Sequence, residues 1–164
     1  MQKRGKMGHT IVQCERGMIF LIEQDTIKLL RECDAGVKMG ISSIDDVLDH
    51  IHADGLRHCL SGCMSEHKKL EKEIEKLLDN YHDDGKEPNP LAKGMSWVKT
   101  NAKLAMDDSD AAIADLMTNG CNMGVKSLNK YLNQYEAADE RSKDIAKRLI
   151  NLEEKLTVDI RPFL

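Results

Sequence analysis

Apolar residues recur along most of this chain at intervals of three and four. From Leu30 they run Leu30, Cys33, Val37, Ile41, Ile44, Leu48 and Ile51, which is the stripe along one face of an α-helix. The stripe extends backwards through Ile27, Ile22 and Phe20, so the spacing predicts one long first helix over residues 10–52. "ADG" (Ala53 to Gly55) then turns the chain. A second helix follows with Leu56, Leu60, Cys63, His67, Leu70, Ile74 and Leu77 inward and the charged face "EHKKLEKEIEK" outward. It stops at "HDDGKEPNP" (His82 to Pro90), which reads as a loop.

The pattern predicts a shorter helix from Leu91 to Met106. "DDSD" (Asp107 to Asp110) is rich in N-cap residues and opens the next helix, with Ile113, Leu116, Gly120, Met123, Ser127 and Tyr131. "EAADERS" is a tight connection to a last helix carrying Ile145, Leu149, Leu152 and Leu156. The chain thus divides into a basic tail (1–9) and one helical domain (10–164). That domain comprises a hairpin (10–80), a crossover with its short helix (81–107) and a second hairpin (108–160). Two hairpins joined by one long crossover make an all-α, antiparallel four-helix bundle of the ferritin-like kind.

Composition agrees with helices. Aromatics are 4% and methionines number nine, so the core must be filled by aliphatic and Met side chains, which suits packed helices better than a β-sandwich. Three prolines, at 88, 90 and 162, interrupt neither long segment. A net charge of −4 gives no global attraction to nucleic acid or anionic lipid. The exception is local, in "MQKRGKMGH". That tail has no apolar run behind a cleavage site, so it is not a secretory signal, and "MIFLIE" is too short to span a bilayer. Met18 offers an alternative start. Five cysteines, an odd number, point to reduced thiols in a cytoplasmic protein.

One short motif occurs twice. "CDAGVKMG" (Cys33 to Gly40) and "CNMGVKSL" (Cys121 to Leu128) share Cys-x-x-Gly-Val-Lys, 88 residues apart. An internal two-fold relation between the hairpins would place them so. Gly36 and Gly40 are four apart, as are Gly120 and Gly124. Each glycine inside a helix costs about 1 kcal/mol relative to alanine. Something must offset that: close packing of the first helix on the third, room for a bulky neighbour such as Met39, Met64 or Met123, or a pocket held open there.

The stretches "LLRECDAGVKMGISSIDDVL", "EHKKLEKEIEKLL", "GMSWVKTNAKLAM" and "LMTNGCNMGVKSLNKYLNQY" resemble an uncharacterised group of bacterial ferritin-like four-helix proteins of unknown function. The resemblance implies an antiparallel bundle. In iron-using branches it also implies a Glu in the middle of the first and third helices and Glu-x-x-His on the other two. This chain departs from that pattern. It has Gly36-Val37 and Gly124-Val125 at those places, and no Glu-x-x-His at all. Glu66, Glu153 and Glu154 are the residual carboxylates of the family type, followed three residues later by Lys69, Leu156 and Thr157. An oxidase or iron-storage site is not expected.

Other candidate ligands are sulfur and imidazole. Cys59, Cys63 and His67 lie on one face of the second helix, while Cys33 and Cys121 project from the first and third. Such donors suit Cu(I) or Zn(II). The three on one helix climb about 12 Å, too far for one ion, so a site would combine two of them with Cys33 or Cys121. The competing reading makes the cysteines small core hydrophobes and His67 a partly exposed core-edge residue. Asp49-x-x-His52 and Asp79-x-x-His82 fall at opposite ends of the first hairpin and read as solvated helix ends. Asp34 and Lys38 would form an interior polar site only if they face the core. Ser61, Ser65 and Ser127 lack a nucleophile motif, and phosphate loops and dinucleotide fingerprints are absent.

The expected function is a non-enzymatic protein without cofactor or metal, acting through assembly or an unidentified protein partner. A soft-metal or redox-responsive bundle is the alternative, and residual iron binding a weaker one. The first helix would span roughly 64 Å against about 37 Å for the second. The excess carries Ile11, Val12, Met18, Phe20 and Leu21, so a homodimer through this segment is expected, or else a break near Arg16-Gly17.

Overall fold

The computed structural model describes residues 7–88 and 109–164, with side chains of the first helix from Glu15 onward. It is all-α. Helix α1 runs Met7–Leu48, α2 Asp54–Asp79, α3 Asp110–Gln134 and α4 Glu140–Asp159, and a 3-10 turn, Arg161–Phe163, closes the chain. The described residues contain no strand. The expected crossover helix at 91–106 and residues 1–6 of the expected tail lie outside the described residues.

α1 departs from expectation at its two ends. It starts at Met7, inside the expected tail, and it passes Arg16-Gly17 as one continuous helix, as the main reading expected and the alternative break did not. It also ends at Leu48 rather than near His52, because its last carbonyls find another donor. The Arg57 guanidinium of α2 donates to Leu48 O and Ile51 O, closing the turn earlier. The turn is held from outside as well, by the backbone N–H groups of His52 and Ala53 donating to the Asp110 carboxylate at 2.9 and 2.8 Å.

The acidic cluster before α3 acts as its composition suggested. Ser109 is the N-cap, its hydroxyl accepting from the Ala112 N–H at 3.2 Å. Asp139 does the same for α4, accepting from Ser142 N–H at 2.7 Å. The α3–α4 connection is anchored on α1. Ala137 N–H donates to Asp25 at 3.1 Å, and Asp139 N–H to the Thr26 hydroxyl at 2.9 Å.

Those anchors set the register of α1 and α3. Twelve residues on from Asp25 lies Val37, and twelve back from Ala137 lies Val125. Fifteen back from His52 and fifteen on from Asp110 give the same two residues. The repeated Cys-x-x-Gly-Val-Lys motifs therefore centre on one level, and Cys33 and Cys121 diverge from it to opposite sides. This is the placement that a two-fold relation between hairpins requires.

After α2 the chain is pinned to α1 by Asp34, which is 1% exposed. Its Oδ2 accepts from Lys86 N–H at 2.9 Å and pairs with Lys38 Nζ at 3.0 Å. Its Oδ1 is buried without a hydrogen bond among the described residues. Lys38 also reaches Glu87 at 3.0 Å, and Lys86 reaches Glu32 at 2.6 Å. Gly85 has φ +80°, and a Cβ there would strike the Asp34 carboxylate. The turn therefore requires glycine twice over. Asp34 faces the interior while Lys38 is half-buried at its edge, and their work is to fasten this loop.

The described chain leaves beside Lys38, through Glu87, and resumes at Ser109 beside the α1–α2 turn. Lys38 and Leu48 are roughly 15 Å apart by helix rise.

Candidate functional site

The core is two apolar clusters. One holds Leu29, Leu30, Cys33 and Val37 of α1, Leu70 and Ile74 of α2, Leu128 of α3, and Leu149 and Ile150 of α4. The other holds Ile44, Val47 and Ile51, then Leu56, Leu60 and Cys63, then Ile113, Met117 and Cys121, then Leu156 and Ile160. On each helix one residue interrupts the stripe between them: Gly40 on α1, His67 on α2, Gly124 on α3 and Glu153 on α4. This layer is the candidate site.

His67 is 1% exposed and Glu153 12%. The burial of His67 corrects its expected place at the core edge. Its Nε2 lies 3.0 Å from Glu153 Oε1. Its Nδ1 lies 2.9 Å from the Cys63 carbonyl oxygen and 3.5 Å from Cys63 Sγ. A carbonyl oxygen only accepts, so Nδ1 carries a proton, and Nε2 faces a carboxylate. An imidazolium satisfies both. Burial opposes the charge, but hydrogen bonds to Cys63 and Glu153 outweigh it and push the His67 pKa up to about 10.

The glycines make room for this pair. A Cβ on Gly40 would lie 2.7 Å from His67 Nε2 and 2.8 Å from its Cδ2. On Gly124 it would lie 3.6 Å from Glu153 Cδ, and on Gly36 3.8 Å from Leu149 Cδ2. In each case the nearest neighbour is a side chain of α2 or α4. At Gly36, Gly40 and Gly124 the expected close packing of the first helix on the third is corrected: α2 and α4 place buried His67, half-buried Glu153 and Leu149 in the space they leave.

The other candidates disperse. Cys33 sits in the opposite apolar cluster from Cys63 and Cys121. Cys59 is half-buried beside Asp159 O at 4.0 Å. Glu66 is exposed and paired with Lys69 at 2.5 Å, and Glu154 is exposed. Among the described residues no three His, Cys, Asp or Glu side chains come together to hold a metal ion. Cys63, His67 and Glu153 superficially resemble a nucleophile, base and orienting acid. Cys63 is 6% exposed and belongs to the second apolar cluster.

Burial, with Glu32 and Asp34 adding to it, pushes the Cys33 thiol up to about 12. Burial and Glu153 raise Cys121 as well. Thiols held protonated are poor nucleophiles. In a Cys14→Ser background, a disulfide reagent at pH 8 should therefore label Cys59 first. Cys33, Cys63 and Cys121 should wait for unfolding. Rapid labelling of Cys121 in the native protein would contradict this arrangement.

Sequence reasoning grouped two of Cys59, Cys63 and His67 with Cys33 or Cys121 across helices as candidate metal ligands, but it did not pair His67 with Glu153. It also did not connect Gly40 with His67. The available signal was the lone polar residue in each of two apolar stripes.

No protein-family model matches the chain, and no curated protein and no solved structure is significantly similar to it. No helix among the described residues is long and apolar enough to cross a membrane.

A second surface stands apart from the core. Met18, Ile19, Phe20, Leu21 and Ile22 are between 39% and 63% exposed. Five successive residues cover every side of a helix. Among the described side chains, α1 is therefore exposed from Glu15 to Glu23, beyond the level of Asp25 and Thr26, where the α3–α4 connection fastens to it. The overhang from Met7 to Glu23 is about 25 Å long.

Proposed function

We propose that this is a non-enzymatic, ferritin-like antiparallel four-helix bundle of the uncharacterised bacterial group, working by assembly or partner binding through the overhang of α1. The observation that carries the reading is the exposure of all five residues from Met18 to Ile22 on a continuous helix. A helix that is apolar all round belongs in a buried setting, and an isolated helix of this length is marginal in water.

Opposed pairings support the antiparallel architecture. Gly40 meets His67 while Leu48 meets Arg57, and Asp25 meets Ala137 while His52 meets Asp110. The middle layer supports the loss of the iron site: α1 and α3 contribute glycine where the iron-using pattern needs carboxylates. Free, buried thiols suit a cytoplasmic setting.

Sedimentation of the full chain beside one that starts at Gln24 tests the reading. The full chain should form a species heavier than its 18.5 kDa monomer, and the shortened chain should be a folded monomer. Two monomers, or two equal assemblies, would overturn it.

A further inference from the structure

We propose that Cys59 and Cys63 form a binding site for one soft monovalent cation, Cu(I), on the edge of α2 that meets α4. The site is independent of the overhang of α1. The two thiols lie one turn apart on α2, so their Cβ atoms are about 5–6 Å from each other. Two metal–thiolate bonds of about 2.3 Å span about 4.6 Å between sulfurs, a gap that side chains rooted at this spacing can close. Both are turned to the same stretch of α4. Cys63 belongs to the second apolar cluster, and Cys59 packs against it. Cys59 Sγ lies 4.0 Å from Asp159 O. Lys155, one turn before Asp159 and paired with its carboxylate, is within electrostatic reach of both thiols.

The surroundings select the ion. Cu(I) is satisfied by two soft thiolates, whereas Zn(II) takes four donors. No third His, Cys, Asp or Glu joins the pair among the described residues. His67 is not available as one, because its Nδ1 is held by the Cys63 carbonyl oxygen at 2.9 Å. The cluster beside the thiols includes Leu56, Leu60, Leu156 and Ile160, a dry wall that favours a soft ion over one needing oxygen ligands. Sulfur also gathers on this side: Met64, Met117 and Cys121 share the cluster, while the other cluster contributes Cys33. Half-buried Cys59 gives the ion a way in to buried Cys63. Binding exchanges two thiol protons for one Cu(I) and leaves one net negative charge on the pair, close to the Lys155 ammonium.

Anaerobic titration of the tag-free full chain, in the Cys14→Ser background, with Cu(I) held by bicinchoninate tests the site. The chain should withdraw one Cu(I), and X-ray absorption at the copper edge should show two sulfur neighbours. Cys59→Ser and Cys63→Ser should each weaken binding by more than about a hundredfold, beyond the roughly 10–100-fold that losing a partner behind a ligand costs. Cys33→Ser and Cys121→Ser should each change it less than about tenfold, and Zn(II) should not survive desalting. Cys59→Ser alters a half-buried position and should melt as the parent does, so it decides the matter even if Cys63→Ser does not fold. Copper left with bicinchoninate, binding that survives Cys59→Ser, or equal losses from Cys121→Ser would overturn the proposal, and none of these outcomes bears on association through the overhang.

Discussion

Gly40→Ala should destabilise the bundle by about 3 kcal/mol, although alanine is the better helix former. Alanine brings back about 1 kcal/mol of helix propensity. Against that, its methyl would lie 2.7 Å from a ring nitrogen of His67. The ring cannot swing aside, because Nδ1 is tied to Cys63 and Nε2 to Glu153. Overpacking a core typically costs about 1–3 kcal/mol, and separating a buried ion pair about 3–5 kcal/mol. Gly124→Ala and Gly36→Ala meet ordinary contacts at 3.6 and 3.8 Å, so they should stay within about 1 kcal/mol of the parent, on the stabilising side. Urea denaturation measures all three. In a His67→Ala background the penalty at Gly40 should vanish, since the clash is with that ring. A Gly40→Ala protein as stable as the parent would remove the account of the glycines.

Glu153→Gln should lower stability by about 2–4 kcal/mol at pH 7, because it leaves His67 buried without its counter-ion. That is a large part of a domain's usual 5–15 kcal/mol. The loss depends on pH in a definite direction. The folded pKa of His67, about 10, lies above its unfolded value of 6.5. Its contribution is therefore complete below pH 6.5 and fades as pH rises towards 10. The gap between parent and Glu153→Gln should narrow over pH 7–8, before thiols ionise appreciably in the unfolded chain. Replacing both partners, as His67→Leu with Glu153→Met, should recover most of the loss. A gap that widens with pH would show that His67 is not the charged partner.

Much of the fold is legible in the sequence because helix periodicity is local. The stripe from Leu30 to Ile51, the N-cap cluster at Ser109 and the hairpin turn at Ala53 follow from neighbouring residues. What was not legible depends on residues far apart in the chain. Arg57 shortens α1 by donating across the turn. His67 and Glu153 are 86 positions apart, and nothing in either stripe says that they meet. The two glycine pairs look alike in sequence, yet Gly40 faces an imidazole at clashing distance while Gly36 faces a leucine methyl. Only the rotation of α1 against α2 and α4 distinguishes them. The long first helix was legible as an excess of length, whereas its continuity through Gly17 depends on the backbone itself.

We propose that the middle of this bundle is filled by the His67–Glu153 ion pair and that function belongs to the surface. The protonation of His67 tests this most directly. In a ¹⁵N-labelled sample at pH 7.5, long-range ¹H–¹⁵N correlation of the histidine rings should give one imidazole with both nitrogens protonated. That signal should persist to about pH 9 and collapse to a neutral ring in Glu153→Gln. A His67 ring that is neutral at pH 7.5 and titrates near 6.5 would contradict it.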